Sequence, residues 1–400
     1  MDNVNVRLLL IGSEEEAARE MAAIGVHPEG TAIMAPKAVF RVLKLTGLTP
    51  TQANIVKQEM LARGGEAAVA WGAIDGSAQT TDVLVMGTVH QFAALIPKLA
   101  RQPLGLREVA GRMGEVLLNL GARPRWELDC RGRKLVLGER TLVMGILNVT
   151  PDSFSDGGRF LDPEAAVARA LEMEREGADL IDLGGVSTRP GHTPVDAGTE
   201  LARIMPVLER VVRAVRVPVS VDTFRAEVAR RALAAGAHII NDQWALADPG
   251  MAEVAAETGA PVILMHNQEG TAYRDLLGDI TAYFRERIAR ARRAGIATEK
   301  IIIDPGFGFG KTAAQNLEVV RRLRELAGLG RPILLGPSRK STIGKVLDLP
   351  VDERVEGTAA VVTAAILNGA DIVRVHDVRE MVRVARMADA LARGWEDAAG

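Results

Sequence analysis

Leu142-Val143-Met144-Gly145-Ile146-Leu147-Asn148 is an apolar run ending in an amide, and a polar loop and the helical pattern Pro163–Glu176 follow it. The same succession recurs to the end of the chain. Short β-rich runs lie at Asp179–Gly184, Val217–Asp222, Ala237–Asp242, Pro261–His266, Lys300–Asp304, Pro332–Gly336 and Asp371–His376. Each reads as a buried strand. Helical patterns Phe224–Ala235, Asp279–Ala294, Ala314–Leu326 and Val355–Asn368 stand between them. Asp162 and Pro163 make a cap and first turn, while Gly177, Gly236 and Gly295 fall just past helix ends, where a left-handed residue is wanted. Eight strand–helix units in ~250 residues is the arithmetic of a (β/α)8 TIM barrel. A doubly wound open sheet competes, but rarely reaches eight consecutive units.

Outward from this core, Trp126–Cys130 and Lys134–Leu137 read as a hairpin turning at Arg131-Gly132-Arg133 and plugging the bottom of the barrel. Residues 1–122 read as a small N-terminal α/β domain, and residues 126–395 as the barrel domain. In the former, Val6–Ile11 and Asp82–Gly87 resemble strands, and Ser13 with Glu16 resembles a capping box opening a helix to Ile24. Helical patterns cover Thr51–Arg63, Gln91–Ala100 and Leu106–Leu120.

The 400 residues, 48% hydrophobic and 25% charged, are those of an ordinary globular protein. A formal charge of -2 argues against a broad nucleic-acid binder. The single cysteine, Cys130, excludes an intramolecular disulfide and any multi-cysteine metal site. No secretory signal is visible at Met1-Asp2-Asn3-Val4-Asn5, and no apolar run reaches the ~18 residues that span a bilayer. A cytoplasmic protein without membrane partners is expected.

Barrel enzymes work where the carboxyl ends of the strands converge. Here every end carries a polar group: Asn148, Asp182, Asp222, Asn241-Asp242, His266, Asp304, Ser338-Arg339-Lys340-Ser341, and Arg374 with His376. Singly, an aspartate after a strand is commonly a turn or helix cap; a ring of eight is a site. Asp222, Asn241 and Asp304 suit a heterocycle with several N–H donors in one plane. Arg374 and His376, two apart, project to one side and suit phosphate oxygens. Lys340 reaches either ligand. Asp304-Pro305-Gly306-Phe307-Gly308-Phe309-Gly310-Lys311-Thr312 ends like a phosphate-binding loop, but Pro305 stands where that motif needs glycine. It reads instead as a loop allowing close backbone approach beside an aromatic wall. Asn148–Gly158, long and polar around Phe154, reads as a mobile lid.

Together Asn148–Gly158, Asp182–Gly191, Ser220–Thr223, Asn241-Asp242, Asp304–Lys311, Ser338–Ser341 and Arg374–Asp377 resemble the dihydropteroate synthases of bacterial folate biosynthesis, in order and at family-like spacing over roughly residues 126–395. The resemblance implies condensation of 6-hydroxymethyl-7,8-dihydropterin pyrophosphate with p-aminobenzoate, giving 7,8-dihydropteroate and pyrophosphate, with Mg2+. Carried over by motif, Asp222, Asn241, Asp304 and Lys340 would hold the pterin. Asn148 would contact the Mg2+–pyrophosphate, and Arg374 with His376 the pyrophosphate anion. Thr188, Arg189, Pro190, Phe154, Phe309 and Ser341 would build the p-aminobenzoate pocket, with Asp156 of the first loop among the substrate-binding residues. Asp222, Lys340, Arg374 and His376 would carry catalysis, and a homodimer is implied.

Three departures stand out: Val186 where the family commonly has glutamate, Asn267-Gln268 after His266, and Gln243-Trp244 where small residues are frequent. Two rivals remain. A pterin-dependent corrinoid-protein methyltransferase would share the acidic residues, but only 24 residues follow His376. A catalytically silent pterin-binding regulator would bind without turnover.

Overall fold

The structure, a computed structural model, describes residues 4–121, 124–149, 163–185 and 195–395. The chain divides into two compact units, Met1–Arg123 and Pro124–Gly400.

In the N-terminal unit, strands β1 (Phe40–Leu48), β2 (Glu66–Val69) and β3 (Thr81–Thr88) form an antiparallel sheet in the order β1-β3-β2. One face packs on helices Pro50–Leu61, Val89–Leu99 and Leu106–Asn119 through Leu43, Val56, Met60, Val83, Val85, Phe92, Leu95 and Met113. Three expectations change here. Val6–Ile11 is not a strand, because its backbone finds no backbone partner among the described residues and β-propensity without pairing makes no sheet. β1 and β2 escaped the reading: Lys44, Thr46 and Gly47 interrupt the first, and the second is four residues long. Ser13 does accept from Glu16 N at 3.1 Å, but Glu16 reaches back to Gly12 N at 2.6 Å instead of closing the box on Ser13.

The second unit opens with the hairpin β4 (Trp126–Cys130) and β5 (Arg133–Leu137). Its two-residue turn has positive φ at both Arg131 and Gly132, the geometry that matches strand twist in tight hairpins. Then come the barrel strands β6 (Leu142–Asn148), β7 (Leu180–Gly184), β8 (Val219–Asp222), β9 (Ile239–Asp242), β10 (Val262–Met265), β11 (Ile301–Asp304), β12 (Leu334–Leu335) and β13 (Ile372–Val375). All pair in parallel in the order β11-β10-β9-β8-β7-β6-β13-β12, and a parallel bridge between Ile303 and Ile333 closes the ring. This is the TIM barrel. β12 is shorter than expected, since Pro337 lies just beyond it and cannot donate to a ladder.

Alternation along the strands sorts residues by face. Ile181, Val221, Ile240, Leu264, Ile301 and Leu335 point out to the helices. The helix Pro163–Glu176 answers with Ala166, Ala170 and Met173 on its buried stripe. Leu180, Ile239, Ile263, Ile302, Leu334 and Ile372 point inward and pack with Leu128, Cys130, Leu135 and Leu137 of the hairpin, which therefore plugs the barrel. Arg131 and Arg133 tie it there by donating to the carbonyls of Leu233 and Val212 at 2.7 and 2.9 Å. The helical pattern Ala314–Leu326 breaks after Arg321 into a 3-10 helix at Leu323–Leu329. Leu323, Leu326 and Leu329, all buried, lie three apart, the spacing a three-residue turn aligns.

Candidate active site

Above the apolar inner layer, the next inward positions are polar. Two residues beyond Leu180 stands Asp182, two beyond Ile239 stands Asn241, two beyond Ile302 stands Asp304, and two beyond Ile372 stands Arg374. Asp182 is fully buried and gathers Ser220 Oγ, Asn241 Nδ2 at 3.0 Å and Arg374 Nε at 2.6 Å. Arg374 turns its other arm to Asp222, Nη2 to Oδ2 at 2.8 Å. Gln243 Nε2 donates to the second oxygen of Asp222 at 2.7 Å. One guanidinium thus bridges two carboxylates drawn from different strands.

Asp304 and Lys340 stand close enough to act on this network electrostatically. Burial pushes the Asp222 carboxyl up to about 7, Asp182 adds to the rise, and Arg374 opposes it. Burial raises Asp304 too, with Lys340 opposing. Lys340 is drawn down to about 7 by burial against the pull of Asp304. Lys340 donates to the carbonyl of Phe307, and its ammonium lies 4.4 Å over the Phe309 ring, a cation–π contact. Arg339, just before it, holds a positive φ of 56° and pairs with Asp377. Strain of that kind persists only where neighbours fix it; here the Asp377 pair and Thr358 Oγ1, which accepts from Arg339 N at 3.1 Å, do so.

The glycine-rich loop after β11 fits tightly beneath these groups. A Cβ on Gly306 (φ +71°) would meet His266 O at 2.0 Å, and one on Gly308 (φ +87°) would meet Lys340 Cδ at 2.8 Å. Lys311 pins the loop, donating to Gly306 O at 3.2 Å and Phe309 O at 3.1 Å and lying 3.1 Å from His266 Nδ1.

Of the residues expected from sequence, Asp222, Asn241, Asp304, Lys340, Phe309 and Arg374 come together at this mouth. Asn148 ends β6 beside Gly184, half-buried. His376 follows β13 with Nδ1 2.9 Å from Ser338 Oγ. Ser341 begins the helix Ser341–Leu347 at the exposed rim. Thr188, Arg189, Pro190, Phe154 and Asp156 lie outside the described residues, as does Val186. Two strand-end groups take other work. Asp242 accepts from Trp244 N at 2.9 Å and Leu246 N at 2.6 Å, shaping the following turn. His266 faces the helices, its ring 4.7 Å from that of Tyr283. Sequence reasoning placed Asp182 on its strand but gave it no role; it noted Gln243 only as a departure and Lys311 only as the end of the glycine-rich motif. For Asp182 the signal was there: an aspartate inside an apolar strand needs a buried cation.

The donor set also bears on a metal. Among the described residues no group of three or more His, Cys, Asp or Glu is arranged to hold one. One half-buried amide, Asn148, at the end of β6 fits a Mg2+ that keeps most of its waters and takes its remaining ligands from phosphate oxygens.

The sequence profile of the family described as pterin binding enzyme matches residues 144–376. The dihydropteroate synthase of Bacillus subtilis (strain 168) is 52% identical over 254 residues, 63% of this chain and 89% of that protein. A probable bifunctional folylpolyglutamate synthase/dihydropteroate synthase of Halobacterium salinarum is 44% identical over 396 residues, 96% of this chain, which spans about half (47%) of that longer protein. The crystal structure of Xanthomonas albilineans dihydropteroate synthase with 4-aminobenzoic acid matches 68% of this chain and 99% of its own, at 45% identity and a TM-score of 0.65. With the profile ending at His376 and beginning in the first barrel strand, the matched segment contains every residue of the polar mouth, and the chain belongs to the pterin-binding enzyme family.

Proposed function

We propose that this chain is a dihydropteroate synthase, joining 6-hydroxymethyl-7,8-dihydropterin pyrophosphate to p-aminobenzoate. The observation that carries the reading is the Asp182–Arg374–Asp222 bridge with Asn241, Asp304 and Lys340 around it. Carboxylates, an amide and an ammonium at that spacing match a flat ring edge group for group, as a site selective for hydrogen-bonding substrates must.

In the reaction the aryl amine nitrogen forms a bond to the pterin methylene carbon, the carbon–oxygen bond to the diphosphate breaks, and the amine proton is lost to solvent. Asp222, Asn241 and Asp304 accept from the pterin edge, and Lys340 donates to it. Charge develops at both ends of the breaking bond. The carboxylates stabilise the electron-poor ring, and Arg374 with His376 takes the departing anion. Asn148 would hold a Mg2+ bound with the diphosphate, which supplies further neutralisation of the leaving group. An aryl amine is neutral and nucleophilic near pH 7, so no strong base is assigned. Phe309 and Ser341, with Thr188, Arg189, Pro190 and Phe154, take the aminobenzoate, and Asp156 is among the substrate-binding residues. Ser341 and the first-turn N–H groups suit its carboxylate.

The same reading has the protein working in the cytoplasm as a homodimer; no helix among the described residues is long and apolar enough to cross a membrane. The test is pyrophosphate release by purified protein with each component omitted in turn. Release that requires the pterin substrate, p-aminobenzoate and Mg2+ is expected. Methyl transfer from methyltetrahydrofolate, or pterin binding without turnover, would replace this reading with the methyltransferase or the silent regulator.

A further inference from the structure

Asn316 lies on the buried stripe of the helix Ala313–Arg321, in line with Val319 and Val320. An amide is out of place there by propensity, and burying it is costly unless its polar atoms are matched. Asn316 and Thr342 are each only 2% exposed. The partners of the amide come from two other elements. Asn316 Oδ1 accepts from Gly308 N at 2.7 Å, in the glycine-rich loop after β11. Asn316 Nδ2 donates to Thr342 Oγ1 at 3.0 Å, on the helix Ser341–Leu347. A backbone N–H can only donate, so the amide oxygen must face Gly308 and the NH2 group must face Thr342.

The helix that carries Asn316 is itself pinned. Thr312 caps it in a closed box with Gln315, Thr312 N donating to Gln315 Oε1 at 2.8 Å and Gln315 N to Thr312 Oγ1 at 3.2 Å. Gln315 Nε2 in turn donates to Thr271 O at 3.0 Å. One anchored side chain therefore joins the residue before Phe309 to the residue after Ser341. Lys340 makes another tie between the same segments, to the carbonyl of Phe307. In the functional reading, however, Lys340 turns to the pterin, whereas the Asn316 tie needs no group that a substrate uses.

We propose that Asn316 is a positioning residue for the aminobenzoate pocket: bonded to Gly308 and Thr342, it sets the spacing between Phe309 and Ser341. The inference rests on the dihydropteroate synthase reading. p-Aminobenzoate is a rigid rod, so the groups that meet its ring and its carboxylate must keep one separation, to about 0.5 Å. Asn316 is too deeply buried to meet the substrate, and its effect passes through the backbone of its two neighbours.

The test measures aminobenzoate KM, kcat and, by calorimetry, pterin Kd for the full chain carrying Asn316→Leu, Thr342→Val or Thr342→Ser. Leucine is close to asparagine in size and makes no side-chain hydrogen bond; valine keeps the shape of threonine and loses its oxygen. Aminobenzoate KM should rise about tenfold in Asn316→Leu and about threefold to fivefold in Thr342→Val, with pterin Kd moving less than about twofold. Thr342→Ser, which keeps the oxygen, should stay near the parent. Adding Thr342→Val to Asn316→Leu should raise KM no further, because the bond between them is already gone. If KM and pterin Kd move together, or if Thr342→Ser is as impaired as Thr342→Val, the proposal is overturned. Should Asn316→Leu not fold, the two Thr342 variants decide. A parent protein that releases no pyrophosphate overturns the functional reading and this inference with it. A parent that turns over, with an aminobenzoate KM that Thr342→Val leaves unmoved, overturns this inference alone.

Discussion

Arg374 Nε donates to Asp182 Oδ2 at 2.6 Å, joining residues 192 apart in sequence inside the barrel. Asp182 is fully buried and Asp222 nearly so. A buried carboxylate stripped of its cation is costly, about 3–5 kcal/mol. Arg374→Ala is therefore expected to destabilise the barrel on that scale in urea titrations. The penalty should also grow with pH. Asp222 already titrates above its unfolded value, through burial and the charge of Asp182. A carboxylate with a raised folded pKa binds its proton more tightly when folded, so its contribution is fullest below 3.8 and is lost as pH rises through about 7. Removing Arg374 raises that pKa further, so the loss should be larger at pH 8 than at pH 5. An equal loss at both would contradict the bridge.

Lys340 offers a cleaner handle on binding. Burial holds it down to about 7, so at pH 8 most of the free protein carries it neutral. A pterin oxygen that accepts from the ammonium favours the charged form. Binding at pH 8 should accordingly take up a proton, seen by calorimetry in buffers of different ionisation enthalpy, and uptake should fade towards pH 6. Lys340→Met should abolish the difference and weaken pterin binding about tenfold or more. Identical proton uptake in the two proteins would remove Lys340 from the pterin site.

Gln243 offers a test of the surroundings of Asp222. Its Nε2 holds Asp222 Oδ1 at 2.7 Å, and its Oε1 is buried with no partner among the described residues. A buried acceptor left open in a binding mouth is costly unless a ligand N–H fills it. Gln243→Ala should weaken pterin binding by about fivefold to tenfold. Loss of the amide donor should also move the acid limb of the kcat/KM profile upward, because that hydrogen bond lowers the Asp222 pKa. If affinity and profile both stay put, Gln243 only fills space.

The barrel was legible because parallel strands buried on both faces read as continuous apolar runs, and polar residues at all their ends together pointed to a site, although Asp242 shapes a turn and His266 packs on Tyr283. Asp222, Asn241, Asp304, Lys340 and Arg374 were picked out that way and come together at the mouth, while Asn148 ends β6 beside Gly184. What sequence hides is pairing at a distance. Nothing near Asp182 names Arg374, and nothing near Lys311 names His266, because closure of the ring makes those contacts. The N-terminal unit was read less well for the converse reason. Val6–Ile11 has strand composition without a backbone partner among the described residues, whereas Phe40–Leu48 is a strand whose solvent-side Lys44 and Thr46 blur the pattern.

Lys311 and His266 complete the account of the mouth, since Lys311 holds the Gly306 and Phe309 carbonyls of the loop that carries Phe309 and lies against His266. Burial first, and the Lys311 charge second, lower His266 to about 3. Its ring should therefore show no protonation by NMR above about pH 4. In Lys311→Met the charge is gone and burial remains, so the titration should move up while staying below 6.5. The substitution also strands the carbonyls of Gly306 and Phe309, an expected loss of about 1–3 kcal/mol. With the loop released, the aminobenzoate KM should rise more than pterin affinity falls, because Phe309 rides on the loop whereas Asp222 and Asn241 sit on rigid strands. A purely structural lysine would lower stability and leave that ratio unmoved; an unchanged ratio together with an unshifted His266 titration would end the positioning argument.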